Sequence, residues 1–442
     1  MKTVKNRPDA LVFFARDFLA LEFSKLGVQF KQYKRVYLVT SGGEAASVRL
    51  NDPDGDIYSL LDIFNNQDGS CHHGLDQSGI AEDRILRFSS TKEINRMVAT
   101  LDKMLEILED TYTVVLYMDE PVSGYSNYRF NKRFNENGAI CLHFQTSWLP
   151  GLMFFSSDCA QRVIPVVNKV ADGVSRVNDH IREREQGKAK PLYVINYGGS
   201  FRKVKDIGMN TMKALYRKLM RRDSFYLDRD CSAHILHSKS LLANFKGGYF
   251  NTQSIVQGSL SDGKFVLYPL HYEPEAVLCY FGDYHRQVEI AEQLLDTLPR
   301  GYRLILKEHP SQPGALNLAK WHSVTSSSRV IKVAGADSAS PYLGLDLIVV
   351  SVGSTLALEA ALAGRPSGVL SDVHFAGMPG VLRLGSPAEW QALIDQSPVD
   401  ISHISEWYGQ FLNRHGISGN FMRGGTDSSQ LVSIVEGLMA KS

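Results

Sequence analysis

Two kinds of hydrophobic pattern alternate along the chain. Short, almost wholly apolar runs are seen at ALVFFA (10–15), RVYLVT (35–40), TVVLYMDE (113–120) and AICLHFQ (139–145). Such runs predict strands covered on both faces. Between them, FLALEFSKLG (18–27) and TKEINRMVATLDKMLEILED (91–110) return an apolar residue every three or four positions, which predicts amphipathic helices. The same rhythm restarts at GKFVLYPLH (263–271) and continues through YRLILKEHP (302–310), SRVIKVAG (328–335), LDLIVVSVG (345–353) and SGVLSD (367–372), with a helix at HRQVEIAEQLLDTLPRG (285–301). Strands alternating with helices predict parallel sheets and an α/β fold.

Between the two halves, roughly 165–245, the chain is more helical and more basic, with VVNKVADGVSRVNDHIREREQGKAK and MNTMKALYRKLMRRDSFY. The tail carries helical patterns at WYGQFLNRHG and SSQLVSIVEGLMAKS. The polar, glycine-bearing YFNTQSIVQGSLSDGK (249–264) marks a boundary. The expected organisation is a Rossmann-like domain over 1–255 with a helical insertion around 165–245, a second Rossmann-like domain over 256–400, and helices over 401–442 that pack back across both. A cleft between two such halves is a natural ligand site.

A chain of 442 residues exceeds one ordinary core, which agrees with this division. A net charge of +1 offers no global basic field for nucleic acid. The local runs FRKVKD (201–206) and KLMRRD (218–223) read as solvated helix faces or, alternatively, as contacts to an anionic membrane or glycan. Five cysteines without CxxC spacing fit a reducing cytoplasm. Cys71-His72-His73 has no partners at metal-ligand spacing. No run of ~20 apolar residues is present, so no membrane span is expected.

Candidate chemistry gathers at strand ends, where open α/β sheets bind ligands. Lys307-Glu308-His309-Pro310 closes one strand: a lysine supplies a point charge for phosphate and a histidine can donate from its ring. Ser351-Val352-Gly353-Ser354-Thr355 opens the helix LALEAALAG, whose N-terminal N–H groups suit an anion, with Ser354 or Thr355 as cap or phosphate partner. Glu359, one turn further on, either accepts from ribose hydroxyls or is a helix-surface carboxylate. His271-Tyr272-Glu273-Pro274-Glu275 closes the first strand of the second half; His271 is placed at a phosphate, and Glu273 or Glu275 at sugar or base. SFYLDRDCSAHILH (224–237) sets Asp228 and Asp230 beside His234 and His237.

LYPLHYEPEA, HRQVEIAEQLLDTLPRGYRLILKEHP and DLIVVSVGSTLALEAALAGRP, in that order over 263–372, resemble the second half of capsule and surface-polysaccharide glycosyltransferases, among them β-Kdo transferases. FQTSWLPGLMFFSSD (144–158) resembles a family segment whose strand-end glutamate falls here at Gln145, while Asp158 remains. The resemblance implies a GT-B fold and a CMP-activated ulosonic acid donor such as CMP-Kdo. It places the nucleotide on the second half at His309, Ser354, Thr355 and Glu359, and a lipid-linked or growing glycan acceptor on the first half. For the transfer step it leaves Asp230, with Asp228 and Asp158 as alternatives, and Arg16 as a candidate partner for the donor carboxylate. It implies no metal or other cofactor, and peripheral work at the cytoplasmic face of the inner membrane beside polysaccharide-assembly proteins. Two other readings stay open: a CDP-polyol-dependent polyol-phosphate transferase, and a non-catalytic glycan-binding or assembly subunit, to which the Gln145 departure belongs.

Overall fold

The structure is a computed structural model that describes residues 7–67, 86, 89–119, 124–157, 163–166, 170–186, 212, 225, 263–273, 278, 286–309, 316, 319–335, 337, 339–396, 399–419, 421 and 428–440. The elements in the first part of the chain are β1 (Asp9–Phe14), α1 (Leu19–Gly27), β2 (Lys34–Val39), α2 (Gly42–Asn51), β3 (Asp56–Ser59), α3 (Leu60–Asn65), α4 (Thr91–Thr111), β4 (Thr113–Asp119), α5 (Tyr125–Glu136), β5 (Ile140–Thr146), β6 (Leu152–Ser156) and α6 (Gly173–Glu185). The second part holds β7 (Lys264–Pro269), α7 (Gln287–Thr297), β8 (Tyr302–Lys307), β9 (Val330–Val333), β10 (Leu347–Ser351), α8 (Thr355–Leu362), β11 (Ser367–Val369), β12 (Val381–Arg383), α9 (Ile401–His415), β13 (Ile417–Ser418) and α10 (Ser428–Met439).

Two compact units result, each built on one sheet. The first takes Met1–Val170, Tyr216–Asp230 and Arg414–Ser442; the second takes Ala171–Leu215 and Cys231–Asn413. This division differs from one cut near 250–262, for local reasons. Helix α6 joins the second unit, where Gly173 N–H donates to Asn413 Oδ1 at 2.8 Å and Arg184 pairs with Glu359. Most of α9 stays in the second unit, and only Arg414–Ser442 joins the first, where β13 adds antiparallel to β6.

In the first unit the sheet order is β13-β6-β5-β4-β1-β2-β3. Strands β5 to β3 are parallel, whereas β6 runs antiparallel to β5 after a turn whose Gly151 has φ 73°. A wholly parallel sheet was the expectation; the two-strand return arises because a tight turn, and no helix, joins β5 to β6. One face buries Phe13, Phe23, Tyr37, Phe144 and Phe155 with the tail's Phe421, which stacks on Phe144 at 4.1 Å. The second unit has the order β12-β11-β10-β7-β8-β9, all parallel, around Tyr268, Trp321 and Trp390. Both units are therefore Rossmann-like and doubly wound, as the strand–helix alternation predicts.

The order has one consequence that places a site. In the first unit the chain winds outward from β1 through β2 and β3, then returns to the other side of β1 at β4. In the second it winds from β7 through β8 and β9, then returns at β10. Each reversal leaves an opening between the carboxyl ends of two adjacent strands, since their connections leave in opposite directions. The openings lie at β1/β4 and at β7/β10.

Under α5 the first unit also buries a polar row. Asp119 accepts from Tyr117 Oη at 2.7 Å and from the Asn127 amide. The Asn131 amide lies 2.6 Å from His143 Nε2, and Gln145 Nε2 donates to Ser156 Oγ at 3.1 Å. His143 is fully buried, and burial pushes its imidazole down from 6.5 to about 4. The folded state thus refuses a proton that the unfolded chain accepts. Above about pH 6.5 the contribution is intact, and it is lost as pH falls toward 4, by about 3 kcal/mol at most. Denaturant titrations at pH 7 and pH 4.5 on the wild type and on His143→Gln should show a smaller acid loss in the variant.

Candidate functional site

The glycine turns of the two units hold different chemistry. In the first unit the turn Ser41-Gly42-Gly43-Glu44 follows β2, the neighbour of β1, and it begins α2 and is filled by the chain itself. Ser41 caps the helix, and Glu44 completes a capping box. The buried Glu44 carboxylate accepts from Asp17 N–H at 2.8 Å, Thr40 N–H at 2.6 Å, Ser41 N–H at 3.0 Å and Thr40 Oγ1 at 2.9 Å. Burial pushes its carboxyl up from the ordinary value, against these hydrogen bonds. Asp17, held at φ 51°, is fixed by the same carboxylate. Arg16 is half-buried beside it, 3.9 Å from the Asp17 carboxylate and 6.0 Å from the Phe14 ring centre. A negative charge thus already occupies the amides of this turn.

At β7/β10 the described acceptors are an imidazole nitrogen and two hydroxyls. Gly353 N–H donates to His271 Nε2 across the opening at 3.1 Å. Ser354 N–H donates to Ser351 Oγ and Leu356 N–H to Ser354 Oγ, both at 3.2 Å, so Ser354 is the N-cap of α8. Gly353, Ser354 and Thr355 are half-buried, whereas Ser351 is fully buried behind them. Glycine is required at 353 by space: a Cβ there would lie 2.7 Å from Val373 Cγ1 and 2.8 Å from Ser371 Oγ. Ser371 in turn donates to Val352 C=O, which fixes the turn from behind.

His271 is held by a residue that sequence reasoning passed over. Gln287, buried at the first position of α7, accepts from His271 N–H at 2.6 Å and donates to His271 C=O at 3.1 Å. The amide thereby extends β7 by one residue, as a neighbouring strand would. Gln287 Nε2 also lies 3.0 Å from Glu273 Oε1, whose other oxygen pairs with Lys320. Gln287→Leu should orphan two buried backbone groups, at about 1–3 kcal/mol each, and loosen His271. Thermal unfolding beside a nucleotide titration would show both losses, while a fully stable Leu variant would reject this role.

Along β8 the predicted residues separate. Lys307 is buried, donates to the carbonyls of Glu308 and Gly335 at 3.3 Å each, and is pushed below the ordinary lysine range by burial. Glu308, also buried, accepts from Leu316 N–H at 3.1 Å and Gly335 N–H at 3.3 Å. Both brace the loop after β9. His309 is half-buried with its ring 5.9 Å from that of Tyr272, edge to face. Glu359 is ion-paired with Arg184 at 2.8 Å, both largely buried, so one of its oxygens is committed to α6. Burial, with Arg184 as a lesser cause, pushes the nearby His180 below its ordinary value.

The structure therefore brings His271, Glu273, Ser351, Gly353 and Ser354 to one opening, with Thr355 following on the first turn of α8 and His309 at the end of the adjoining strand. Arg16 and Gln145 belong to the other unit. Asp158, Asp228, Asp230, His234, His237, Pro310 and Cys71-His72-His73 lie outside the described residues. Among the described residues no group of three His, Cys, Asp or Glu side chains is placed to hold a metal ion. No described helix is long and apolar enough to cross a membrane.

No family model matches the chain. A search of curated proteins finds no match either. Among solved structures, the chain is similar to KpsC of Thermosulfurimonas dismutans, a beta Kdo 2,7 transferase, at 11% identity over 92% of this chain and 100% of that one, with a TM-score of 0.37. It is similar to a UDP-GlcNAc 2-epimerase of Neisseria meningitidis bound to UDP-GlcNAc, at 11% identity over 91% and 99%, with a TM-score of 0.27. The wall teichoic acid polymerase TagF is also among them, at 11% identity over 92% and 89%, with a TM-score of 0.21.

Proposed function

We propose that this protein is a glycosyltransferase of surface-polysaccharide synthesis that takes an ulosonic acid, Kdo first, from a CMP-activated donor. The observation that carries this reading is the contrast between the glycine turns of the two units. The described amides of the turn at β7/β10 are satisfied by an imidazole and hydroxyls, which a phosphate can displace. The turn after β2 is closed by the Glu44 carboxylate. The donor phosphate accordingly belongs at His271, Gly353, Ser354 and Thr355, with His309 and Glu273 at its flanks. The acceptor glycan belongs to the first unit. Asp230 is the proposed acid of the transfer step, with Asp228 and Asp158 as alternatives. Protein donors neutralise the leaving phosphate, so transfer needs no metal, and EDTA should leave it unchanged.

Calorimetric titration with CMP, UDP, GDP and ADP tests the reading. Selective CMP binding, followed by turnover of CMP-Kdo, is the expected result. Preference for UDP or GDP would overturn the donor class, and turnover of a CDP-polyol in place of CMP-Kdo would overturn the reaction.

A further inference from the structure

The hydrogen bond between Gly353 and His271 says more than where a phosphate sits. Its direction is set: a backbone N–H donates, so Nε2 is an acceptor and carries no proton while the bond stands. His271 is 8% exposed, and its backbone is clamped on both sides by Gln287, so the ring cannot leave with its loop. Around it the second unit places Glu273, paired with Lys320, on the same loop, and Lys307, Glu308 and His309 at the end of β8. Asp337 lies near Lys307, Glu359 on α8 is paired with Arg184, and Asp372 beyond β11 is paired with Arg383. The side chains bonded to this turn and loop from α7, β10 and the end of β11 are neutral: Gln287, Ser351, Ser354 and Ser371.

We propose that a phosphate entering the β7/β10 opening takes the Gly353 N–H from His271, and that the imidazole, losing this donor, takes one proton from solvent at Nε2 and donates it to the same phosphate. One N–H···N bond is exchanged for an N–H···O bond and a charge-assisted N–H···O bond. The inference rests on the phosphate placement proposed above. It makes His271 the residue that selects for phosphate charge: a terminal monophosphate dianion repays the proton uptake better than a monoanionic diester. Nucleoside monophosphate, the leaving group, is then held more tightly than the same phosphate esterified in the donor.

The test is calorimetry of CMP and of inorganic phosphate in two buffers of different ionisation enthalpy, on the wild type and on His271→Gln. Glutamine keeps an acceptor for Gly353 N–H but cannot take the proton, and the ligand's own ionisation cancels in the comparison. The wild type should take up close to one proton more per ligand than the variant. Its affinity advantage should fall as pH rises. Nitrogen-15 spectra of the wild-type histidine rings give a second readout: Nε2 of His271 should pass from acceptor to N–H on adding phosphate. CMP binding with equal proton uptake in both proteins, or an unchanged ring spectrum at saturation, would overturn the exchange alone. Phosphate-linked uptake without CMP selectivity would overturn the donor assignment and leave the exchange standing. Absence of binding by either ligand would overturn both.

Discussion

Gly353→Val should cut CMP affinity at least a hundredfold while leaving the second unit folded. The added Cβ lands within 2.8 Å of both Val373 Cγ1 and Ser371 Oγ. Val373 is β-branched and stiff, and Ser371 is committed to Val352 C=O, so the turn must give way before they do. Moving it carries Gly353 N–H away from His271 Nε2 and tilts the Ser354 cap. Overpacking of this kind costs about 1–3 kcal/mol of stability. The hundredfold loss of affinity corresponds to about 2.7 kcal/mol and reflects the displaced amides. Calorimetry, with near-ultraviolet circular dichroism to confirm the fold, separates the two effects. A valine variant that binds CMP within threefold of the wild type would place the phosphate elsewhere.

Glu44→Ala should destabilise the first unit by about 3 kcal/mol or more. Three backbone N–H groups, from Asp17, Thr40 and Ser41, and the Thr40 hydroxyl lose their common acceptor. The left-handed Asp17 loses the hydrogen bond that holds it, and that conformation costs about 1–2 kcal/mol for a residue with a Cβ. Glu44→Gln retains one acceptor oxygen but turns an N–H₂ toward other donors, so it should fall between alanine and the wild type. Urea denaturation measures the order. An alanine variant as stable as the wild type would show that water replaces the carboxylate freely, which would also weaken the contrast between the glycine turns of the two units. The same variant, by emptying the turn, is expected to admit inorganic sulfate at the end of β2.

The elements that were legible share one physical property. β1, β2, β4, β5, β7, β8 and β10 are buried on both faces along most of their length, so their apolar runs are nearly unbroken. β3 is half-buried at all four positions, and β13 has two residues, so neither run carries a pattern long enough to read. Helix α5 hides for the opposite reason: its inward face contains Asn127 and Asn131, which serve Asp119 and His143, so polar residues sit at core positions. The antiparallel β6 is apolar throughout, and its direction follows from a tight turn that apolar content does not report.

Of the candidate site, the strand-end residues His271, Gly353, Ser354 and Thr355 could be read from local sequence, because a strand, a glycine turn and a helix start lie within a few residues of one another. The self-filling of the first turn was equally local: Ser41 and Glu44 stand at capping-box spacing. The rest depended on chain separation. Gln287 reaches His271 over 16 residues, and Arg184 reaches Glu359 over 175. Lys320 reaches Glu273 over 47 residues, and His271 meets Gly353 over 82. By itself the sequence determined two α/β sheets and which strand ends bear chemistry, since burial and capping act through neighbours along the chain. Only the tertiary structure decided which ends adjoin, which amides are already filled and by what charge, because those follow from strand order, and strand order is set by contacts between residues far apart in sequence.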